Sequence, residues 1–162
     1  MFKRLLLIFV AALTLSACTL PTFGGSQKSG LQVTSTPQAT AYLDGNSLGL
    51  TPVLEETLKP GDYTIKLVPS DATIQPWEAK ITLQNGVLTV IDRKLSSSPD
   101  QSNGYILSFE KLKNKKDTQL AVTTIPDSVT VSVDGNPGGF TPVSLDTIAE
   151  GDHTILMNSP GF

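Results

Sequence analysis

Residues 39–53 read ATAYLDGNSLGLTPV, and residues 129–143 repeat the same pattern as VTVSVDGNPGGFTPV. Each stretch begins with five residues in which small or aliphatic side chains alternate with Thr, Ser or Tyr. This period of two is typical of a strand with one buried face. Asp-Gly follows at once, and this dipeptide readily adopts the positive φ of a tight turn. The pattern predicts a β-strand that ends in a tight turn, twice in one chain.

The repeat extends in both directions from these stretches. It begins with a Leu-x-Val-Thr segment at Leu31 and at Leu120, and it ends with a Gly-Asp pair followed two residues later by Thr-Ile. Similarity in this order over roughly 38 positions indicates a duplicated module. No segment beyond the first 17 residues shows the helical period of 3.6, so the sequence predicts an all-β protein.

Two more elements are predicted between the copies. The alternating runs 80–83 and 87–90 flank Asn85-Gly86, which is the strongest short hairpin signal, so they are expected to form a hairpin. Residues 104–112 read GYILSFEKL and predict a further strand. We expect this strand to pair with residues 87–95, either completing the first module or bridging the two.

The first 17 residues have the three parts of a secretory signal peptide. Lys3 and Arg4 give a positive start, residues 5–15 form an apolar run with a single threonine, and two small residues precede Cys18. A helix of this apolar length covers about 16 Å, roughly half of a bilayer core. We therefore expect a signal-peptide helix and not a permanent membrane span.

The segment Leu15-Ser16-Ala17-Cys18 resembles the lipobox of bacterial lipoproteins. The resemblance implies cleavage between Ala17 and Cys18 and attachment of lipid to Cys18. A lone cysteine in a secreted chain has no disulfide partner, which favours this reading over an ordinary cleavage site beside a free cysteine. Two acyl chains hold a protein stably on a membrane. The expected partner is thus a membrane, and the expected location is the extracytoplasmic side of the cell membrane or outer membrane.

The remaining boundaries follow from composition. Residues 18–30 hold the lipid-attachment cysteine and a stretch rich in Gly, Ser, Thr and Pro, which predicts a flexible tether with an r.m.s. span of roughly 20 Å. We expect a first module over residues 31–112, a basic hinge over 113–119 and a second module over 120–162. Loss of the leader leaves 10 basic and 15 acidic residues, a net charge near −5. This charge favours neither nucleic acid nor anionic lipid as a partner.

The repeated sequence features resemble the PEGA domain of bacterial and archaeal surface proteins. The shared features are a strand-ending proline, an Asp-Gly turn, a Gly-x-Thr-Pro segment, and a Gly-Asp pair before a strand that holds Tyr or His. The first copy has Pro37, Asp44-Gly45, Gly49-x-Thr51-Pro52 and Gly61-Asp62-Tyr63, and the second has Pro126, Asp134-Gly135, Gly139-x-Thr141-Pro142 and Gly151-Asp152-His153. Neither copy spells the tetrad that names the family. The resemblance implies small β-sandwich modules in tandem, without catalytic residues to carry over.

The second copy is predicted to be incomplete. Phe162 aligns with Ala72, so the second copy has no counterparts of the strands predicted around 80–83 and 87–95. Either the sequence is part of a longer chain or this module borrows strands from elsewhere. As written, it is expected to leave sheet edges unpaired.

The residues that could bind or react have structural explanations. Calcium requires six to eight oxygens, and each Asp-Gly-Asn turn offers only a few, so no metal site is predicted. Thr51 and Thr141 precede prolines, which favours an extended backbone there. The sole histidine, His153, aligns with Tyr63 and is expected at the edge of a core. We predict no cofactor and, because no catalytic spacing is visible, no enzyme activity.

Trp77 is the aromatic residue for which the sequence allows two roles. It is the only tryptophan of the chain, and we expect it to be buried as a cap of the first module. The alternative is a surface platform that stacks on a sugar ring together with Tyr42 or Tyr105. The anchor, the tether, the tandem repeat and the lack of catalytic spacing together favour a non-enzymatic envelope scaffold, stalk or adhesive display unit. Another envelope protein is a further candidate partner. The alternative is a lipoprotein that binds envelope glycan, either peptidoglycan or surface polysaccharide.

Overall fold

A computed structural model describes residues 28–110, 112–114 and 117–159. The predicted signal-peptide helix, the lipidation site and most of the tether lie outside these residues. The chain divides into two compact units after Phe109, and each is described by itself. Thirteen strands and one short 3-10 helix make up the described regular structure, so the prediction of an all-β protein is confirmed.

The first unit contains two four-stranded sheets. In one sheet the strand order is β4-β1-β7-β8, and in the other it is β3-β2-β5-β6. The strands are β1 Ser29–Thr36, β2 Ala39–Leu43, β3 Asn46–Leu50, β4 Val53–Leu58, β5 Gly61–Pro69, β6 Trp77–Leu83, β7 Leu88–Lys94 and β8 Asn103–Leu107, with the 3-10 helix Pro99–Gln101 before β8.

Alternating side chains from both sheets form the core of the first unit. On β1, β2 and β5 the buried aliphatic and alanine side chains are two residues apart, so they point to the same side, into the space between the sheets. The buried set comprises Leu31, Val33, Ala39, Ala41, Leu43, Val53, Ile65, Leu67, Ile81, Leu83, Ile91 and Leu95. The predicted β-sandwich is therefore present in this unit.

The turn at Asp44-Gly45 forms as the sequence predicts, whereas the hairpin predicted at Asn85-Gly86 is wrong. Asp44 and Gly45 have φ values of 47° and 80° and join β2 to its neighbour β3. Gly86 also has a positive φ, of 74°, but β6 pairs with β5 and β7 pairs with β1 and β8. Residues 84–87 thus carry the chain from one sheet to the other.

A physical reason for this crossing lies in the core. β7 runs parallel to β1, with Val33 beside Ile91, so the buried side chain of Ile91 extends the apolar face of β1. A hairpin with β6 would have left that edge of β1 open. The predicted pairing of the last strand is confirmed, since β8 runs antiparallel to β7, although β8 ends at Leu107.

The second unit repeats the first five strands. Its strands are β9 Gln119–Val122, β10 Thr130–Val133, β11 Asn136–Phe140, β12 Val143–Asp146 and β13 Ile155–Asn158. The sheets have the orders β11-β10-β13 and β12-β9, which match β3-β2-β5 and β4-β1. Among the described residues, nothing occupies the places that β6 and β7 take in the first unit, so β13 and β9 each keep one unpaired edge, as predicted.

The open edges change the burial of equivalent residues. Ile65 is fully buried on β5, whereas its counterpart Ile155 on β13 is 40% exposed. Leu67 is also fully buried, and its counterpart Met157 is 47% exposed. The two units therefore share their turns and strand order but differ strongly in how much apolar surface they bury.

Candidate functional site

Trp77 lies at the start of β6, on the face that points into the first unit. It pairs with Leu67 across the strands and packs against the buried core. The guanidinium of Arg93 lies 4.7 Å from the centre of the indole ring, a distance typical of a cation–π contact. Burial lowers the pKa of Arg93, and the negative charge of Asp92 partly offsets this effect by raising it. The indole is thus half-buried beneath a cation rather than presented as a flat platform.

The structure does not bring the three candidate glycan contacts together. Tyr42 alternates with the buried residues of β2 and therefore lies on the outer face of its sheet, the face opposite to that of Trp77. Tyr105 lies on β8 in the other sheet and is 52% exposed. A single stacking surface built from these aromatic side chains is not formed.

Tyr42 borders a shallow depression on the outer face of the β3-β2-β5-β6 sheet. The depression has a volume of about 360 Å³ and is also lined by Lys66 and Glu78, whose charged groups are 3.7 Å apart. One aromatic ring beside one exposed ion pair could hold a small polar ligand only weakly.

The aspartates of the two Asp-Gly turns bind the backbone of a neighbouring chain segment. Oδ1 of Asp44 accepts a hydrogen bond from the backbone N–H of Thr64 at 2.7 Å, and Oδ1 of Asp134 accepts one from Thr154 at 2.8 Å. Each carboxylate therefore ties its turn to the strand that lies beside β2 or β10. Within the described residues no group of three or more His, Cys, Asp or Glu side chains could hold a metal ion.

Thr51 and Thr141 have a role that the sequence analysis missed. Both are buried, and their hydroxyl oxygens accept hydrogen bonds of 3.1 Å from the backbone N–H groups of Ala39 and Val129. Each hydroxyl also contacts a second one, Ser35 in the first unit at 2.6 Å and Thr124 in the second.

The direction of these hydroxyl contacts follows from the remaining partners. Ser35 donates to the carbonyl of Pro37, and Thr124 donates to the carbonyl of Pro126. Since each hydroxyl has one proton, Thr51 must donate to Ser35. The chain Thr51 to Ser35 to Pro37 links the start of β4 to the β1–β2 corner. A serine or threonine two residues before the strand-ending proline in both copies was the signal that could have revealed it.

His153 occupies a hydrogen-bonded position between two oxygens. Its Nδ1 lies 2.7 Å from Oδ2 of Asp134, and its Nε2 lies 2.7 Å from the carbonyl oxygen of Ala149. The hydrogen bond with Asp134, followed by that with Ala149, raises the pKa of His153, and Asp152 adds a smaller attraction. The same His153 contact, with the Thr154 N–H, lowers the pKa of Asp134.

The equivalent position in the first unit holds a tyrosine, Tyr63. Tyr63 donates its hydroxyl proton to the carbonyl of Lys59 at 2.9 Å, which matches the contact of His153 with Ala149. In both units the polar end of this side chain, Tyr63 or His153, therefore links its strand to the preceding loop. In the second unit this side chain, His153, also contacts the carboxylate of Asp134.

The strand order, the aspartate contacts of the turns and the paired hydroxyls at Thr51 and Thr141 recur in both units. These shared features define a tandem-repeat protein built from small two-sheet β modules. The chain belongs to the PEGA family, because the family model described as PEGA domain matches residues 28–98 and 118–162, more than half of its length. Comparisons with curated proteins and with solved structures gave no match. Within the part of the chain that the structure describes, no helix is long and apolar enough to cross a membrane.

Proposed function

We propose that this chain is a non-enzymatic bacterial lipoprotein whose tandem PEGA modules serve as a scaffold, stalk or adhesive display unit outside the cell. The observation that carries the proposal is the order of its parts. A lipobox-like tetrad ends at Cys18, a short polar segment follows, and the first β-sandwich begins at Ser29. Lipid on Cys18 would hold the modules on the extracytoplasmic side of the cell membrane or outer membrane.

The modules suit a structural role because their recurring polar contacts are used to hold the fold. The Asp-Gly turns bind backbone amides of neighbouring strands, and the threonine hydroxyls bridge the β1–β2 and β9–β10 corners. These contacts satisfy buried or turn-forming backbone groups and so stabilise each module separately. Repetition of such a module provides length and display surface.

Mass spectrometry of membrane-extracted protein tests the anchor. We expect the mature chain to begin at residue 18 and to carry diacylglyceryl and acyl groups there. Cys18→Ser should release the protein from the membrane fraction or leave its leader uncleaved, whereas the control Ser26→Ala should remain on the membrane. Processed protein with an unmodified Cys18 would contradict the proposal.

Glycan binding is the second candidate, and the depression beside Tyr42 favours it. Co-sedimentation with purified peptidoglycan separates the two functions. Binding that is lost in Tyr42→Ala and retained in Tyr105→Ala would support a glycan site on the outer face of β2. The scaffold proposal predicts no such difference, because neither tyrosine is among the buried residues of the core.

A further inference from the structure

Three consecutive large apolar residues are exposed on β13 of the second unit. Ile155 is 40% exposed, Leu156 is 65% exposed and Met157 is 47% exposed. β13 pairs with β10 along one side, and among the described residues of this unit no strand lies along its other side. We call this side the β13 edge. The described residues of β9, the other strand with an open side, include no large apolar side chain that is exposed.

The first unit shows what kind of neighbour the β13 edge requires. The counterpart of β13 is β5, and β6 lies antiparallel along the corresponding side of β5. There Ile65 and Leu67 gain apolar neighbours from β6, whereas Lys66 between them lies opposite Glu78. The charged groups of this last pair are 3.7 Å apart on the outer face of the sheet. An antiparallel strand is therefore the neighbour that completes this module at the same place.

The chemistry of the two edges differs at one position. Lys66 pairs with Tyr42 of β2, and Leu156 pairs with Ser132 at the same place on β10. Leucine thus replaces lysine on the outer face of the second unit. A strand with the sequence of β6 would place the carboxylate of Glu78 opposite this leucine. The strand that best fits the β13 edge therefore has an apolar residue at this point.

The β13 edge also lacks the charges that protect the edge strand of the first unit. β6 is the last strand of its sheet, and it carries the exposed charged residues Glu78 and Lys80. Residues 154–159 read TILMNS and contain no charged residue. Charged side chains on an edge strand discourage pairing with another chain. The β13 edge has no such obstacle to pairing.

The backbone of β13 limits the register that a neighbouring strand can take. The N–H of Asp134 donates to the carbonyl of Thr154 at 2.9 Å, so the backbone groups of Thr154 face β10. In an antiparallel ladder these directions alternate along a strand, so the groups of Leu156 also face β10. The N–H and carbonyl groups of Ile155 and Met157 therefore face the β13 edge, where they can bind a strand that lies opposite them.

We propose that the β13 edge pairs antiparallel with the same edge of a second copy of this chain, around a twofold axis at Leu156. Ile155 then lies opposite the partner's Met157, and these two residues exchange backbone hydrogen bonds, as do Met157 and the partner's Ile155. The two Leu156 side chains lie opposite each other on the outer face. They form a non-hydrogen-bonded pair, in which Cα atoms are about 4.5 Å apart.

A second copy suits the β13 edge better than a strand like β6 does. The partner's β13 provides two apolar neighbours on the inner face, as β6 does for β5. On the outer face it provides leucine opposite leucine in place of the carboxylate that β6 has. A twofold interface uses the same surface on both copies, so one uncharged apolar edge satisfies both. The pairing joins two three-stranded sheets into one with the order β11-β10-β13-β13-β10-β11.

Sedimentation equilibrium of the mature chain tests the pairing. The protein carries Cys18→Ser, which removes both the lipid and any disulfide through Cys18. The edge is short, so we expect a weak dimer whose fraction rises between about 10 μM and about 1 mM protein. Leu156→Lys gives the edge the residue type of the first unit and should weaken the dimer at least about tenfold, because it places two ammonium groups opposite each other. Leu54→Lys, at a leucine of the first unit that is 56% exposed, should associate as the parent does.

Opposite charges at the proposed axis test the register. Leu156→Glu alone should be as monomeric as Leu156→Lys. An equimolar mixture of these two variants should form heterodimers at concentrations where neither associates alone, because lysine then lies opposite glutamate as in the Lys66–Glu78 pair. This recovery also shows that both variants are folded.

A cysteine at the axis gives a second measurement. With Cys18→Ser present, Leu156→Cys should form a disulfide-linked dimer under mild oxidation, because the Cα spacing of a non-hydrogen-bonded pair is one that a disulfide accepts. Asn158→Cys is the matched control. In the proposed register the two copies of residue 158 are four positions out of line, about 13 Å apart, so they should not be linked.

Three results would overturn the proposal. The first is a chain that remains monomeric up to about 1 mM, and the second is a dimer that Leu156→Lys does not weaken. The third is a monomeric chain in which the amide signals of residues 155–158 shift when a peptide with the sequence of residues 75–84 is added, because this would assign the β13 edge to a strand like β6. The proposed lipid anchor is tested separately by the mass of the N-terminal peptide, so it stands or falls independently of this pairing.

Discussion

The buried hydroxyl of Thr51 allows a stability prediction with a worked magnitude. Thr51→Val keeps the branched shape but removes the acceptor of the Ala39 N–H and the donor to Ser35. An unsatisfied buried donor costs about 1–3 kcal/mol, and the added methyl group recovers up to about 0.8 kcal/mol when buried. With the middle of that cost, about 2 kcal/mol, the expected loss is about 1 kcal/mol in the free energy of unfolding of the first unit.

Trp77 fluorescence in urea is a suitable assay, because the only tryptophan packs against the core of the first unit. With a slope of about 1–1.5 kcal/mol per molar urea, the midpoint should fall by about 1 M. Thr57→Val, at an exposed position of β4, should change stability by less than about 0.5 kcal/mol. Thr141→Val should leave the Trp77 transition unchanged. A midpoint for Thr51→Val no lower than that of Thr57→Val would refute the reasoning.

Two further predictions concern equivalent positions of the two units. Ile65→Ala should cost about 2–5 kcal/mol, and Ile155→Ala less than about 1 kcal/mol, because Ile65 is fully buried and Ile155 is 40% exposed. Amide-resolved NMR denaturation would measure both, and equal losses would contradict the difference in burial. The single histidine should titrate by NMR above its ordinary pKa of 6.5 in folded protein, and Asp134→Asn should lower that pKa. Because the folded pKa is raised, the contribution of His153 to the stability of the second unit is complete below pH 6.5 and is lost as the pH rises through the folded pKa. His153→Tyr, the residue of the first unit, should remove this dependence, and a pKa at or below 6.5 would exclude the two-oxygen contact.

Local signals in the sequence predicted turns better than they predicted pairing. Asp44-Gly45 and Asn85-Gly86 both adopt positive φ, as their residue types favour, yet only the first joins neighbouring strands. A dipeptide specifies a reversal of the chain but not the sheet that receives the next strand. That choice depended on the open edge of β1, which is formed by residues more than fifty positions away.

The candidate site shows the same division between local and long-range information. Period-two alternation assigned the faces of the strands, and it therefore placed Tyr42 outside and Ile65 inside correctly. It could not place Trp77 beneath Arg93, because that contact joins β6 to β7 in the opposite sheet.

The repeat allows local and long-range effects to be separated within one molecule. Asp44 and Asp134 make the same contact, as do Thr51 and Thr141, so these polar contacts form whether or not β6 and β7 have counterparts. These polar contacts do not by themselves bury the strand that corresponds to β5, because Ile155 on that strand is 40% exposed. The repeated polar residues therefore specify the path of the chain through the first five strands. The strands that close the sandwich supply most of the difference in buried apolar surface, and stability should follow that surface more than the shared motif.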